Sequence, residues 1–564
     1  MTQPGAISLD SIFVAPSTPS FADLIDQIGR NDDLSNVRRK DLVSGLRRVA
    51  EALGRSPAQV PADPRWLQPR IARVAPAFLG ITRKTWQNSI SNARNAMAAC
   101  GIVSKRQRRT SDLSTPWRKL WERVQASGDK SLLSPLPRFI HFLDRIGVAP
   151  QDVRNEHALL YLEAVELNEI SKAPQAAYKD AVAGWNRALD RLPDWPGEPL
   201  SFPSSAKRVI LQEDEHAPGF ISDVDRYLDM RLRPDLLAPE TALRPIAASS
   251  AATYRYMLLR FASHVAAAGV PVEEIICLQA LLEPKRVELG LRRMLERNGD
   301  ATCQSISDTA GLLLTVARHL DLQEEMLTVL TRFKARLAVH DPGGMTAKNR
   351  DRLRALRDPG MLHRLLNLPE RIMARPHGTY RTKALRAQED AIAIGILLYC
   401  PLRIGNLSTL DIDRHLQRPA KGRMFLVIPA GEVKNHRPLE FELPRHLVTM
   451  IDEHLVARAP YLCASNNRYL FPASRQLKPV GANALAERIK RRIRTEIGIE
   501  MNAHLFRHLA VMIYLDANPG GYEVARQMLG HSSVSRTISV YSGLETISAT
   551  RAFASVVDKM REGG

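Results

Sequence analysis

In the last third of this 564-residue chain, five short stretches hold polar side chains whose types and spacing could act together on an anion. Arg403 follows directly on an apolar stretch, in Pro401-Leu402-Arg403-Ile404-Gly405-Asn406-Leu407; alone, such an arginine is more often an ion-pair residue. Lys434 sits in Glu432-Val433-Lys434-Asn435-His436 between two apolar runs, where a lysine is usually just solvated. In His504-Leu505-Phe506-Arg507-His508, the His and Arg three apart share a helical face. At a helix start such a pair can hold an anion, and the helix N-terminus adds favourable partial charge. His504 and His508 also have the i, i+4 spacing of a metal pair, but the glutamate of an HExxH motif and a third ligand are both missing, which disfavours zinc. His531 ends Met528-Leu529-Gly530-His531, where Gly530 stops a helix that begins near Tyr522. Tyr541 follows ten residues later, in Thr537-Ile538-Ser539-Val540-Tyr541-Ser542-Gly543-Leu544.

The elements that must position these side chains can be read from periodicity. Apolar helical stretches run through 382–400. Met424-Phe425-Leu426-Val427-Ile428-Pro429 and Leu439-Glu440-Phe441-Glu442-Leu443-Pro444 read as two short strands, which places Lys434 in the loop between them. Helices resume at Asn483, and Leu505, Leu509, Met512 and Ile513 fall on one helical face. Leu485, Ile489 and Ile493 give the 483–494 helix a buried side. Arg488, Lys490, Arg491, Arg492 and Arg494 are therefore expected to line its outer side, as on a helix that contacts DNA. The fold class is mainly α with a small antiparallel β-sheet.

Taken in order, Arg403, Lys434 in a hairpin, His504-x-x-Arg507, Leu529-Gly530-His531 and Tyr541 resemble the tyrosine recombinase (phage integrase) family over about 346–564. The wording Ala503-His504-Leu505-Phe506-Arg507-His508 and Gly530-His531-Ser532-Ser533-Val534 fits as well. The resemblance implies a site-specific recombinase that cuts and rejoins two duplexes through a covalent 3′-phosphotyrosine and a Holliday junction. Arg403 and Arg507 would clamp the scissile phosphate, with His504 and His531 completing the contacts. Lys434 would protonate the leaving 5′-oxygen, and Tyr541 would be the nucleophile. It further implies double-stranded DNA sites as partners, a homo-tetramer on DNA, other recombinases or accessory proteins as further partners, a mobile element as the setting, and neither metal nor high-energy cofactor. Two features depart from the family pattern. Asn406 stands where many members have Glu or Asp, and the interval from His531 to Tyr541 is one residue longer than the commonest form. Tyr514 and Tyr522 precede the Leu-Gly-His element and are poor substitutes. A catalytically silent DNA-binding relative and a type IB topoisomerase are the competing readings. The first has no need to keep all six residues, and the second fits the motif order less well.

Upstream, a helix–Gly–Pro pattern recurs at Leu53-Gly54-Arg55-Ser56-Pro57, Ile146-Gly147-Val148-Ala149-Pro150 and Ala268-Gly269-Val270-Pro271. Residues 193–250 read as a proline-rich connector with a helix or two embedded, and His340-Asp341-Pro342-Gly343-Gly344 as the clearest boundary. The expected organisation is a helical N-terminal unit at 1–110 with scope for DNA binding, a second helical unit at 111–200, a helical core-binding domain at 215–338 and the catalytic domain at 346–564. Arg255 and Arg260, on the first long helix of the 215–338 unit, are candidate DNA contacts, as is the basic run Lys105-Arg106-Gln107-Arg108-Arg109.

Composition agrees with a polyanion partner: 79 Lys+Arg against 60 Asp+Glu gives 79 − 60 = +19. With 45% hydrophobic and 25% charged residues, the chain can bury several cores, and its length suggests three to four domains of ~150 residues. The opening MTQPGAISLD lacks the basic and apolar regions of a secretory signal, and no run of about 18 apolar residues occurs. Five scattered cysteines without a CxxC pair fit reduced thiols in the cytoplasm.

Overall fold

The structure, a computed structural model, describes residues 14–562 apart from 16, 105–108, 169, 171–172, 203–209, 235–244, 340–344, 377–379, 475, 531–532, 536, 539–552 and 555. His531, Tyr541, the run Lys105 to Arg108 and the 340–344 break therefore lie outside the described residues. Among the described residues the chain is mainly helical with one three-stranded antiparallel sheet. It divides into two compact units, Ser201–Pro342 and the remainder. Among the described residues no helix is long and apolar enough to cross a membrane.

The Ser201–Pro342 unit packs five longer helices, Pro218–Leu232, Ala248–Ala267, Pro284–Arg297, Gln304–His319 and Glu324–Arg336, around Phe220, Tyr227, Phe261, Val287 and Leu313. Both candidate DNA contacts in this unit have protein partners. Arg255 forms ion pairs with Glu213 (2.8 Å) and Asp225 (2.7 Å), and Arg260 donates to the hydroxyls of Ser305 (2.8 Å) and Thr309 (3.3 Å).

The first 200 residues build two helical cores. One gathers Phe21, Leu46, Trp66, Trp86 and Met97, and the other Trp117, Phe139, Tyr161 and Trp185. The second core reaches further than the expected connector allows. Trp195 packs edge-on to Trp185 at 5.4 Å, Leu200 is buried, and the Asn186 amide bonds both the N–H and the carbonyl of Leu200 at 2.8 Å. Residues 193–200 thus belong to this core and not to the connector, because Trp195 and Leu200 have apolar partners to cover them. The three helix–Gly–Pro stretches share one local form. Gly54, Gly147 and Gly269 have φ of 67°, 75° and 104°, and the next residue's N–H bonds a carbonyl in the preceding helix, as with Val148 to Leu143. Ile102 to Met97 and Leu322 to Ala317 repeat that bond elsewhere, so it is a general helix stop and no mark of duplication.

In the C-terminal segment, helix α1 (Arg381–Tyr399) is apolar on nearly all sides from Ala391 to Leu397 and forms the centre of the core. A tight Cys400–Leu402 link leads to the short helix α2 (Ile404–Ser408). The sheet follows: β1 (Leu416–Ala420), β2 (Arg423–Ile428) and β3 (Leu439–Glu442), in that order. Met424, Leu426 and Ile428 alternate into the core, with Leu426 opposite Leu416 and Ile428 opposite Leu439. Helices α3 (Arg445–Ala457), α4 (Ala482–Glu496), α5 (Ala503–Ala517) and α6 (Tyr522–Leu529) follow the sheet.

Helix α4 corrects the expected outer basic face. Leu485, Ile489 and Ile493 are buried as expected, but Arg488 turns beside them to meet Glu389 (3.0 Å) and Asp390 (2.6 Å) on α1. Arg492 joins Asp390 (3.0 Å), Arg494 pairs with Glu500 (3.1 Å) and Lys490 lies 3.6 Å from Glu487, while Arg491 stays exposed. Two consecutive carboxylates inside an apolar helix need cations, and α4 is the neighbour that supplies them. Burial raises the Glu389 pKa, with Arg488 and Arg386 pulling it back. Arg488→Met should therefore cost about 3–5 kcal/mol of unfolding free energy by leaving buried charge uncompensated. Without the arginine the Glu389 pKa rises further above its unfolded value. The variant's stability should then fall as pH climbs from the ordinary carboxylate range through that raised value. Denaturant titrations at pH 5 and 8 check this; an equal, small loss at both would show that Arg488 is not a structural cation.

Candidate active site

Four of the six singled-out residues are described, and they converge on one place. Helix α5 begins at a cap in which the Asn502 side chain accepts from the Leu505 N–H at 2.9 Å. That cap sets His504 and Arg507 in the first turns, His504 at the surface and Arg507 enclosed. The Arg507 guanidinium donates from Nη1 to the Pro401 carbonyl (2.5 Å) and from Nη2 to the Leu529 carbonyl (2.6 Å). One planar fork thus ties the link that carries Arg403 to the end of α6, immediately before Gly530. Gly530 ends α6 at φ 61°, a left-handed conformation that costs glycine little and fixes the direction in which the chain leaves toward His531.

Arg403 sits at the N-cap position of α2, half-buried, and its Nη2 donates to Oδ1 of Asn435 at 3.3 Å. Asn435 follows Lys434 in the β2–β3 loop and donates in turn to the Gly530 carbonyl at 2.6 Å. The same loop is held from the other side, where Asn406 donates to the Glu432 carbonyl at 2.8 Å. The Glu432 carboxylate meets Arg414, and His415 at 3.1 Å. Asn406 therefore hydrogen-bonds a neighbour through its amide, a contact in which a carboxylate at this position would repel the carbonyl. Lys434 itself is exposed.

The surroundings of His504 lower its pKa, first by desolvation and then through the charges of Arg507 and Arg403. The shift favours the neutral imidazole beside two cations, a form that can donate one hydrogen bond to an oxygen. Its ring meets His508 edge-on at 4.9 Å. Two guanidinium groups, a neutral imidazole and an exposed ammonium in a loop form a place suited to the oxygens of a phosphoryl group. Sequence reasoning picked out these four but did not show the part of Asn435. The only signal was its adjacency to Lys434, since its partner Gly530 is 95 residues away.

The model of the phage integrase family matches residues 369–546, which take in Arg403, Lys434, His504, Arg507, His531 and Tyr541. This segment is a phage integrase domain. Solved structures similar to the chain include XerH site-specific recombinase bound to difH substrate as a pre-cleavage complex. That match is 16% identical at a TM-score of 0.36, covering 54% of this chain and 79% of that one. XerA recombinase is 18% identical at a TM-score of 0.23, covering 56% of this chain and 92% of its own. The Tn1549 transposon integrase in complex with transposon right end DNA is 14% identical at 0.35, covering 57% and 93%. A search of curated protein sequences finds no match.

Proposed function

We propose that the chain is a site-specific DNA recombinase whose phage integrase domain cleaves and religates strands through a covalent 3′-phosphotyrosine. The observation that carries this reading is the Arg507 fork, which gathers the Arg403 link and the end of α6 at one point, with the Lys434 loop bound to both through Asn435. Arg403 and Arg507 hold the non-bridging oxygens of the scissile phosphate and spread its developing charge. His504 and His531 contribute further hydrogen bonds. The Tyr541 oxygen attacks phosphorus, the bond to the 5′-oxygen breaks, and Lys434 gives that oxygen its proton. Tyr541 then carries the 3′-phosphate, and a 5′-hydroxyl from a second duplex reverses the same steps. The phosphodiester energy is conserved in the enzyme link, so rejoining needs no nucleotide hydrolysis.

Around the chemistry, the 215–338 unit contacts the duplex together with the catalytic segment, and the two N-terminal helical cores add DNA or protein contacts. Of the basic helix, Arg491 is exposed, which supports a role for it in meeting phosphates. Exchange proceeds on paired sites in a tetramer through a Holliday junction.

The test is a nicked suicide substrate carrying the DNA that flanks the protein's own gene. A denaturation-resistant protein–DNA adduct is expected, because the short fragment departs and religation cannot occur. Specific binding with no adduct under any condition would instead favour a silent accessory relative.

A further inference from the structure

We infer that Asn435 is a positioning residue that sets Lys434 against the reacting phosphate. The inference rests on the recombinase reading above and goes beyond it by naming what places the acid. Lys434 lies on an exposed loop between β2 and β3, and a four-carbon stem on such a loop has many positions open to it. The neighbouring Asn435 removes the share of that freedom that comes from the loop backbone. Its Oδ1 accepts from Arg403 Nη2 at 3.3 Å and its Nδ2 donates to the Gly530 carbonyl at 2.6 Å. The amide is matched to this place, because one end must accept from a guanidinium and the other must donate to a carbonyl. No carboxylate or amine of similar length supplies both, and a Ser or Thr hydroxyl, which can donate and accept, is shorter and does so from a single atom. The bond from Asn406 to the Glu432 carbonyl pins the loop two residues before Lys434, and Asn435 pins it one residue after. Between them the lysine backbone is fixed relative to Arg403 and to the turn that leads into His531. His436, with φ at 52°, then turns the chain away toward β3. Asn435 touches neither substrate nor the reacting atoms in this scheme. Its bond to Arg403 is long at 3.3 Å and its bond to the Gly530 carbonyl short at 2.6 Å, so its loss chiefly frees the loop that carries Lys434 and should resemble the loss of a proton donor more than the loss of a phosphate clamp.

Single-turnover cleavage by the full chain separates the possibilities, using normal DNA and DNA with a 5′-bridging phosphorothiolate at the cleavage site. Sulfur leaves without needing a proton, so only defects in proton donation are relieved. Lys434→Ala is the reference and should be slow on normal DNA and largely restored on the thiolate. Asn435→Ala should be slower than wild type on normal DNA by about ten- to a hundredfold and should recover on the thiolate in the same way. The double variant should be no slower than Lys434→Ala alone, since a misplaced donor and an absent one are the same defect. Asn435→Asp, nearly the same size, keeps the acceptor for Arg403 and loses the donor to Gly530; it should show the same selective recovery. Wild-type rates for Asn435→Ala, or equal slowing on both substrates, overturn the positioning role. Wild-type protein that cleaves neither substrate overturns the recombinase reading itself, a different result from either.

Discussion

Arg507→Lys should slow strand cleavage by about a hundredfold or more, the scale seen when one preorganised donor is removed from a transition-state site. Charge is kept in this variant, so the loss measures geometry. A guanidinium offers parallel N–H groups in a rigid plane, and here that plane spans two main-chain carbonyls, of Pro401 and of Leu529. A lysine ammonium has one nitrogen and cannot reach both at bonding distance. One buried carbonyl is then left unsatisfied, at about 1–3 kcal/mol, and the two chain segments that frame the site lose their common tie. Arg507→Lys should thus lose both rate and stability. Arg403→Lys should lose rate with a smaller change in stability, because Arg403 is half-buried where Arg507 is enclosed. DNA binding by mobility shift should weaken only modestly in both, since net charge is unchanged. Single-turnover rates beside thermal unfolding of the two variants check the contrast. Wild-type cleavage by both lysine variants would remove the clamp from the account.

Much of the catalytic segment was legible because its signals are local. The apolar run at 382–400 became α1, and the two strands around Lys434 appeared at 423–428 and 439–442. Gly530 stopped α6 where a glycine after a helix should. What escaped depended on partners distant in the chain. Strand β1, Leu-Gln-Arg-Pro-Ala, has one buried residue followed by four exposed ones, so it carries no alternation to read and forms only because β2 lies beside it. Arg488 and Arg492 fell on the polar side of a correct helical pattern. Each stands one position before a buried isoleucine, and a long side chain there reaches inward when a carboxylate waits, as Glu389 and Asp390 do from 99 and 98 residues upstream. In the same way Trp195 reads as connector until Trp185 is placed beside it. The motif order pointed to Arg403, Lys434, His504 and Arg507. Apart from the Arg403–Asn435 bond, the hydrogen bonds around them end on main-chain carbonyls, which have no residue type to betray them.

The proposed strand exchange depends on a covalent link through Tyr541, so replacing that residue is the sharpest test. Tyr541→Phe removes one oxygen and leaves the ring, so the variant should bind the recombination site as the wild type does. Each protein is incubated with the radiolabelled suicide substrate and separated under denaturing conditions. A slow-migrating protein–DNA band is expected for the wild type, and none for Tyr541→Phe at matched occupancy of the DNA. Digesting the wild-type adduct with protease should leave the label on a peptide containing Tyr541. An adduct that persists in Tyr541→Phe, with the label on a peptide holding Tyr514 or Tyr522, would contradict the assignment of the nucleophile. The register between the Leu-Gly-His turn and the attacking residue would fall with it.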